Sequence, residues 1–206
     1  CDNWPEYCGR SGFYFTMMIY IVGEGAFARE LCSFVESGFS NFSTSQSVGL
    51  EDFYKLSERQ KITNFVIAIG NNEYRKAAYE KSLVRSDCNL LIGTSLITSD
   101  ADLGFGNVIM NNVTISNEAK LGDNCMVHGN TVIGHDCCIG DHVTLGANTF
   151  IGGHCTIGVG ATIHPGVSIK NKIKVGDQAT IGIGSSVIRA VKAGRVVFGN
   201  PATVIK

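Results

Sequence analysis

The sequence predicts a small α/β domain followed by a parallel β-helix, and three observations carry that prediction. From Leu91 to Val187 a large aliphatic residue occupies every sixth position, in all 17 of 17 chances. The next residue is glycine at nine of these positions, among them Gly104, Gly134 and Gly152, and four places on stand small or branched residues such as Cys125, Thr131, Val143 and Ala161. Before Leu91 the period is absent, and two short apolar runs each lead through glycine into a helix-like segment.

Neither the 3.6-residue period of a helix nor the two-residue period of a strand puts one aliphatic residue on every sixth position. A fixed hexapeptide repeat is the signature of a parallel β-helix. The small residues suit a narrow interior shared with the aliphatic stack. The glycines are expected to serve corners that need unusual backbone angles.

Taken in order, residues 1–16 show no repeat and are read as a disordered extension on which no function rests. Ile19–Val22 is a first strand, Gly23 and Gly25 form a turn, and a helix follows from about Phe27 to Ser37. That is the first half of a Rossmann-like βαβ unit. A glycine turn before a helix N-terminus can receive a phosphate, although many such turns bind nothing. A polar loop is expected over 40–47, a short helix over Leu50–Gln60, a buried strand over Ile62–Ile69 and a charged helix over Glu73–Ser86. The Rossmann-like domain is therefore placed at 17–90 and the β-helix with its C-terminal cap at 91–206.

Of the 206 residues, 44% are hydrophobic and 25 are glycine, ordinary for a glycine-cornered solenoid. A net charge of −1 gives no electrostatic case for nucleic acid or an anionic membrane. The longest apolar run, Phe13 to Val22, is far short of the roughly 20 residues needed to span a bilayer. Residues 1–16 lack the parts of a signal peptide, so a cytoplasmic protein is expected. Cys125, Cys137 and Cys155 fall in the interior slot of the repeat and read as small buried hydrophobes, and no Cys/His pair has zinc-site spacing.

The succession IVGEGAFARE, VIAIGNNEYRKAAYEK, the hexads with IGHDCCIGD, and FGNPATVIK resembles the sialic acid O-acetyltransferase and sugar O-acyltransferase family over residues 18–206. That family of hexapeptide-repeat transferases includes acetyltransferases of bacterial nucleotide-linked amino sugars. The resemblance implies a left-handed β-helix with three hexads per triangular coil. It also implies acetyl-CoA as co-substrate without a metal, and a homotrimer with acetyl-CoA between neighbours.

In such proteins the base is the histidine of a His-Asp/Glu-Cys motif, here His135, Asp136 and Cys137. Histidine titrates nearest neutrality and can take the proton of an attacking amine or hydroxyl, while a carboxylate beside it fixes the tautomer. His135 is thus assigned as base and Asp136 as its orienting partner. Gly153 lies one 18-residue coil beyond His135, where a backbone amide could stabilise an oxyanion. By resemblance Gly153 contacts acetyl-CoA, Ile183 and Gly184 line the pantetheine groove, and Gly23, Gly25, Ala26, Phe27 and Asn71 hold the sugar nucleotide.

Departures are Phe27 where many relatives carry His, Thr144 in place of a second His nine residues after the base, and only the polar loop 40–47 where relatives have an acidic pair after a strand. The expected activity is N-acetylation of a nucleotide-linked amino sugar by direct attack. The alternatives are O-acetylation of sialic acid or another sugar, and a non-catalytic scaffold. A metal-dependent solenoid enzyme is disfavoured because His128 and His164 lie two coils apart.

Overall fold

The structure, a computed structural model, describes residues 18–59, 62–82 and 85–206. The expected extension at 1–16 lies outside the described residues. The N-terminal elements are β1 (Met18–Val22), α1 (Ala26–Glu36), β2 (Thr44–Val48), α2 (Leu50–Arg59), β3 (Phe65–Ile67) and α3 (Asn72–Lys81). They form a parallel sheet of order β2-β1-β3. Ile19, Ile21 and Val66 are fully buried against Ala28, Leu31 and Val35 of α1.

β2 occupies most of the segment expected to be loop. Its sequence, TSQSV, is polar and only Val48 is buried, because it is the outer strand of the sheet and is ordered by pairing along the whole of β1. β3 is shorter than the apolar run that predicts it, and α3 ends at Lys81 with Ser82 as C-cap.

From Leu90 the chain winds through two-residue strands separated by corners. Strands one coil apart pair in parallel at a spacing of 18 residues, as Met126 with Thr144 and Val132 with Phe150. The result is a prism with an eight-stranded, a six-stranded and a five-stranded sheet. The repeating aliphatic residue points inward, so that Ile109, Ile115, Ile133, Ile151 and Ile163 are all fully buried. The small residue four places on is buried too. Its thiols and hydroxyls donate to carbonyls of the next coil, Cys137 to Gly152 O at 3.2 Å and Thr131 to Gly146 O at 3.0 Å.

The corner glycines act differently from the expectation. From Leu103 to Ile181 the left-handed residue of each corner stands three places after the aliphatic, as Asn112, Asn130, Asp136 and His154, with φ between 56 and 60°. The glycine directly after the aliphatic is required by close approach instead: a Cβ on Gly134 would lie 2.7 Å from Gly153 N and 2.8 Å from Ile151 O.

The N-terminal domain packs on the eight-stranded sheet. The outward residues Val108 and Met126 of that sheet are buried, whereas Leu96 and Phe150 on the six-stranded sheet are exposed. Arg75 of α3 reaches into the solenoid, and its guanidinium donates to Asn124 O, His142 O and Thr144 Oγ1. At the far end Val196–Gly199 and Ala202–Val204 extend the same sheet as an antiparallel hairpin. No helix among the described residues is long and apolar enough to cross a membrane.

Candidate active site

His135 and Asp136 sit in the corner where the six-stranded sheet turns into the five-stranded one, between Ile133 and Cys138. The adjacent side chains reach the same spot because Asp136 is left-handed, at φ 58°. His135 Nδ1 and Asp136 Oδ2 are 2.6 Å apart. Nδ1–H donates to the carboxylate, so the neutral ring carries its free lone pair on Nε2. That hydrogen bond, helped by the nearby His154, holds the Asp136 carboxyl below its ordinary range.

Nε2 lies over Gly153. A Cβ there would be 2.6 Å from Nε2, so only glycine leaves the ring in place. The Gly153 N–H makes no hydrogen bond among the described residues, although Gly153 O accepts from Lys172 N. An imidazole with a free Nε2 lone pair and an open amide donor therefore lie on one exposed corner.

His154, which the sequence reading left aside, belongs to this cluster. Its ring stands edge-on to His135, with centroids 4.9 Å apart, and its Nδ1 is 3.8 Å from Asp136 Oδ2. The signal was in the sequence: His154 is one 18-residue coil beyond Asp136. The remaining histidines are structural or remote. His142 is buried against Tyr79 and its Nδ1 accepts from Asn124 Nδ2, His128 packs on Phe27, and His164 is in another corner. Burial lowers the pKa of both His128 and His142. Cys137 is buried and its thiol is pushed up to about 11, mainly by desolvation, which makes it unfit as a nucleophile.

Ile183 and Gly184 are exposed and lie in the corner between the eight- and six-stranded sheets, a different edge from Gly153. Within one chain the two sets of expected acetyl-CoA contacts are therefore not brought together. Thr144, in the place of the second histidine, is on the eight-stranded sheet and accepts from Arg75 Nη2 at 2.8 Å.

Beyond the carboxyl ends of β1 and β3 and the start of α2 lies a cleft of about 420 Å³, lined by Gly23, Glu24, Gly49, Glu51, Asp52 and Ile69. Ligands of open parallel sheets bind in such a crevice. Gly23 has φ +143°, and a Cβ on it would meet Ala68 O at 3.0 Å, so glycine is needed there. Gly25 caps α1 without a side-chain bond and Ala26 starts the helix, leaving its leading amides open.

Two of the residues expected at the sugar nucleotide also have partners within the protein. Phe27 is half-buried and packs on His128, and the Asn71 side chain caps α3 by accepting from Tyr74 N at 3.0 Å. Two acidic residues, Glu51 and Asp52, follow β2 at the start of α2 and line this cleft.

The chain carries the hexapeptide repeat of transferases. Residues 118–153 match the family model of the bacterial transferase hexapeptide (six repeats), and residues 149–189 match the hexapeptide repeat of succinyl-transferase. The solenoid is of the left-handed type that these repeats build. No curated protein matches the chain by sequence.

Among solved structures the chain is similar to a histidine-to-asparagine mutant of perosamine N-acetyltransferase from Caulobacter crescentus, in complex with CoA and GDP-perosamine. The TM-score is 0.83 at 19% identity, over 95% of this chain and 100% of that one. The acetyltransferase domain of PglB from Neisseria gonorrhoeae, in complex with acetyl coenzyme A, gives 0.81 at 21%, over 92% and 100%. WeeI from Acinetobacter baumannii gives 0.64 at 21%, over 92% and 100%. At these identities the likeness establishes the fold.

Proposed function

We propose that the chain is an acetyl-CoA-dependent N-acetyltransferase acting on the amino group of a nucleotide-linked amino sugar. The observation that carries this reading is the His135–Asp136 pair aimed at Gly153. Asp136 holds the Nδ1–H, so Nε2 takes a proton from the acceptor amine as the nitrogen attacks the thioester carbonyl. The Gly153 N–H receives the developing oxyanion, an interaction typically worth about 3–4 kcal/mol. Collapse breaks the carbon–sulfur bond, and the imidazolium returns its proton to the departing thiolate. The attack is taken as direct, because Cys137, the cysteine next to the His135–Asp136 pair, is buried with its thiol pushed up to about 11.

The acceptor's nucleotide fits the cleft of the N-terminal Rossmann-like unit. Its phosphates would lie at the leading amides of α1, around Gly25 and Ala26, and its ribose hydroxyls would face Glu51 or Asp52. The neighbours bound to CoA and GDP-perosamine support the substrate class. His135 stands on the prism edge opposite the sheet that carries its own chain's N-terminal domain. A threefold trimer, with Ile183 and Gly184 of one chain facing Gly153 of another, is the assembly that would unite the parts.

The test is acetyl-CoA consumption, followed as thiol release, over nucleotide-linked amino sugars and free sialic acid. Turnover of an amino sugar that falls by about 10² or more in His135→Ala supports the reading. Turnover of a hydroxyl acceptor alone would replace it by O-acetylation.

A further inference from the structure

Three metal-ligating side chains converge at the catalytic corner: ligand atoms of His135, Asp136 and His154 all lie within 4.8 Å of one another. We propose that these three residues bind a divalent transition metal of the zinc type and that its binding switches the base off. The switching half rests on the reading of His135 as base, and the binding half does not.

The other corners show why this one is distinct. Asn112, Asn130 and Asn148 occupy the same left-handed position elsewhere and spend their amides on one another, at 3.2 Å per step. The carboxylates of Asp123, Asp141 and Asp177 each give Oδ1 to a backbone N–H of the preceding coil. Asp136 makes no such bond among the described residues, and its partners are imidazoles: His135 Nδ1 at 2.6 Å and His154 Nδ1 at 3.8 Å. Two imidazole nitrogens and one carboxylate oxygen are a zinc donor set that leaves a position open for water. Bonds of about 2.0–2.2 Å require donors roughly 3.4 Å apart. All three side chains are 44–58% exposed and free to make that small adjustment.

The consequence for the base follows from imidazole chemistry. A neutral ring carries one proton. When the metal takes the Nδ1 lone pair of His135, that proton resides on Nε2, and Asp136 exchanges its hydrogen bond for a bond to the ion. Nε2–H can donate but cannot accept, so the amine keeps its proton and transfer stops. Removing the ion restores the Nδ1–H tautomer.

The experiment titrates zinc into EDTA-treated full-length protein against a colorimetric chelator and repeats the titration with cobalt for its spectrum. The variants are His154→Asn and Asp136→Asn, chosen because asparagine already fills this left-handed position in other corners. One zinc per chain is expected, bound at least about tenfold more weakly in either variant, since losing a ligand costs no less than losing an outer-shell partner. Zinc is expected to inhibit acetyl transfer and EDTA to restore it. Binding unchanged in both variants, or a thiolate-to-cobalt charge-transfer band, would place the metal elsewhere and overturn the site. Binding as expected with full acetyl transfer at saturating zinc would overturn the switch. Absence of transfer on any acceptor, with binding intact, would refute the enzymatic reading and leave the site standing.

Discussion

Gly153→Ala separates the catalytic reading from a purely structural one. The new Cβ would lie 2.6 Å from His135 Nε2, 2.8 Å from Cε1 and 3.0 Å from Cδ2. Ordinary contact begins at 3.4 Å, so the ring must move by about 0.8 Å. It is tied on one side by Asp136 and flanked on another by His154, so the movement displaces Nε2 from its place over Gly153. Misplacement of about 1 Å at a reacting centre costs up to about 10² in rate, or about 2.7 kcal/mol.

The fold should be indifferent, because Gly153 has an ordinary φ and the clash is with an exposed ring. Gly134→Ala is the counterpart. There the Cβ meets backbone atoms of the next coil, which cannot rotate away, and about 1–3 kcal/mol of stability should be lost. Steady-state thiol release and calorimetry on both variants make the comparison. Gly153→Ala turning over within about threefold of the wild type, or losing stability as Gly134→Ala does, would refute the reasoning.

Two further outcomes are expected. Arg75, 1% exposed and pushed down to about 10 by burial, satisfies carbonyls of the solenoid from a helix of the N-terminal domain and has no carboxylate partner among the described residues. Arg75→Ala leaves those acceptors bare at about 1–3 kcal/mol each. It should lower stability by at least about 3 kcal/mol and split a single denaturation transition into two, as read by circular dichroism against urea.

His128 and His142 are held neutral by burial, with folded pKa values below the ordinary 6.5. In the window just below 6.5 the unfolded chain binds protons that the folded chain does not, so stability falls as pH falls. The Tm should drop between pH 7.5 and 5.5, and His142→Asn should flatten that slope. An equal slope in the variant would remove His142 from the account.

The elements legible in the sequence were those whose pattern repeats or is apolar. The solenoid period, the interior slot holding Cys137 and Cys155, β1, α1 and α2 all follow from side chains that must be buried. β2 was not legible, because a polar outer strand draws its order from the strand beside it, and so the sequence did not show that Glu51 and Asp52 line a cleft. The His135–Asp136 pair was legible through its motif. Its third neighbour, His154, needed the stacking rule applied to Asp136 as well as to His135.

The sequence by itself determined the coil. An aliphatic residue at every sixth place can be buried only in a solenoid, and once the structure pairs strands 18 residues apart, the same numbering sets Gly153 beside His135 and His154 beside Asp136. What only the tertiary structure decided is where the left-handed residue of each corner falls, which sheet the N-terminal domain covers, and hence that His135 stands on the opposite edge. The physical reason is that periodicity fixes contacts at a constant separation along the chain. The docking of α1 and α3 on the eight-stranded sheet depends on single contacts without period, Phe27 on His128 and Arg75 on the carbonyls of Asn124 and His142.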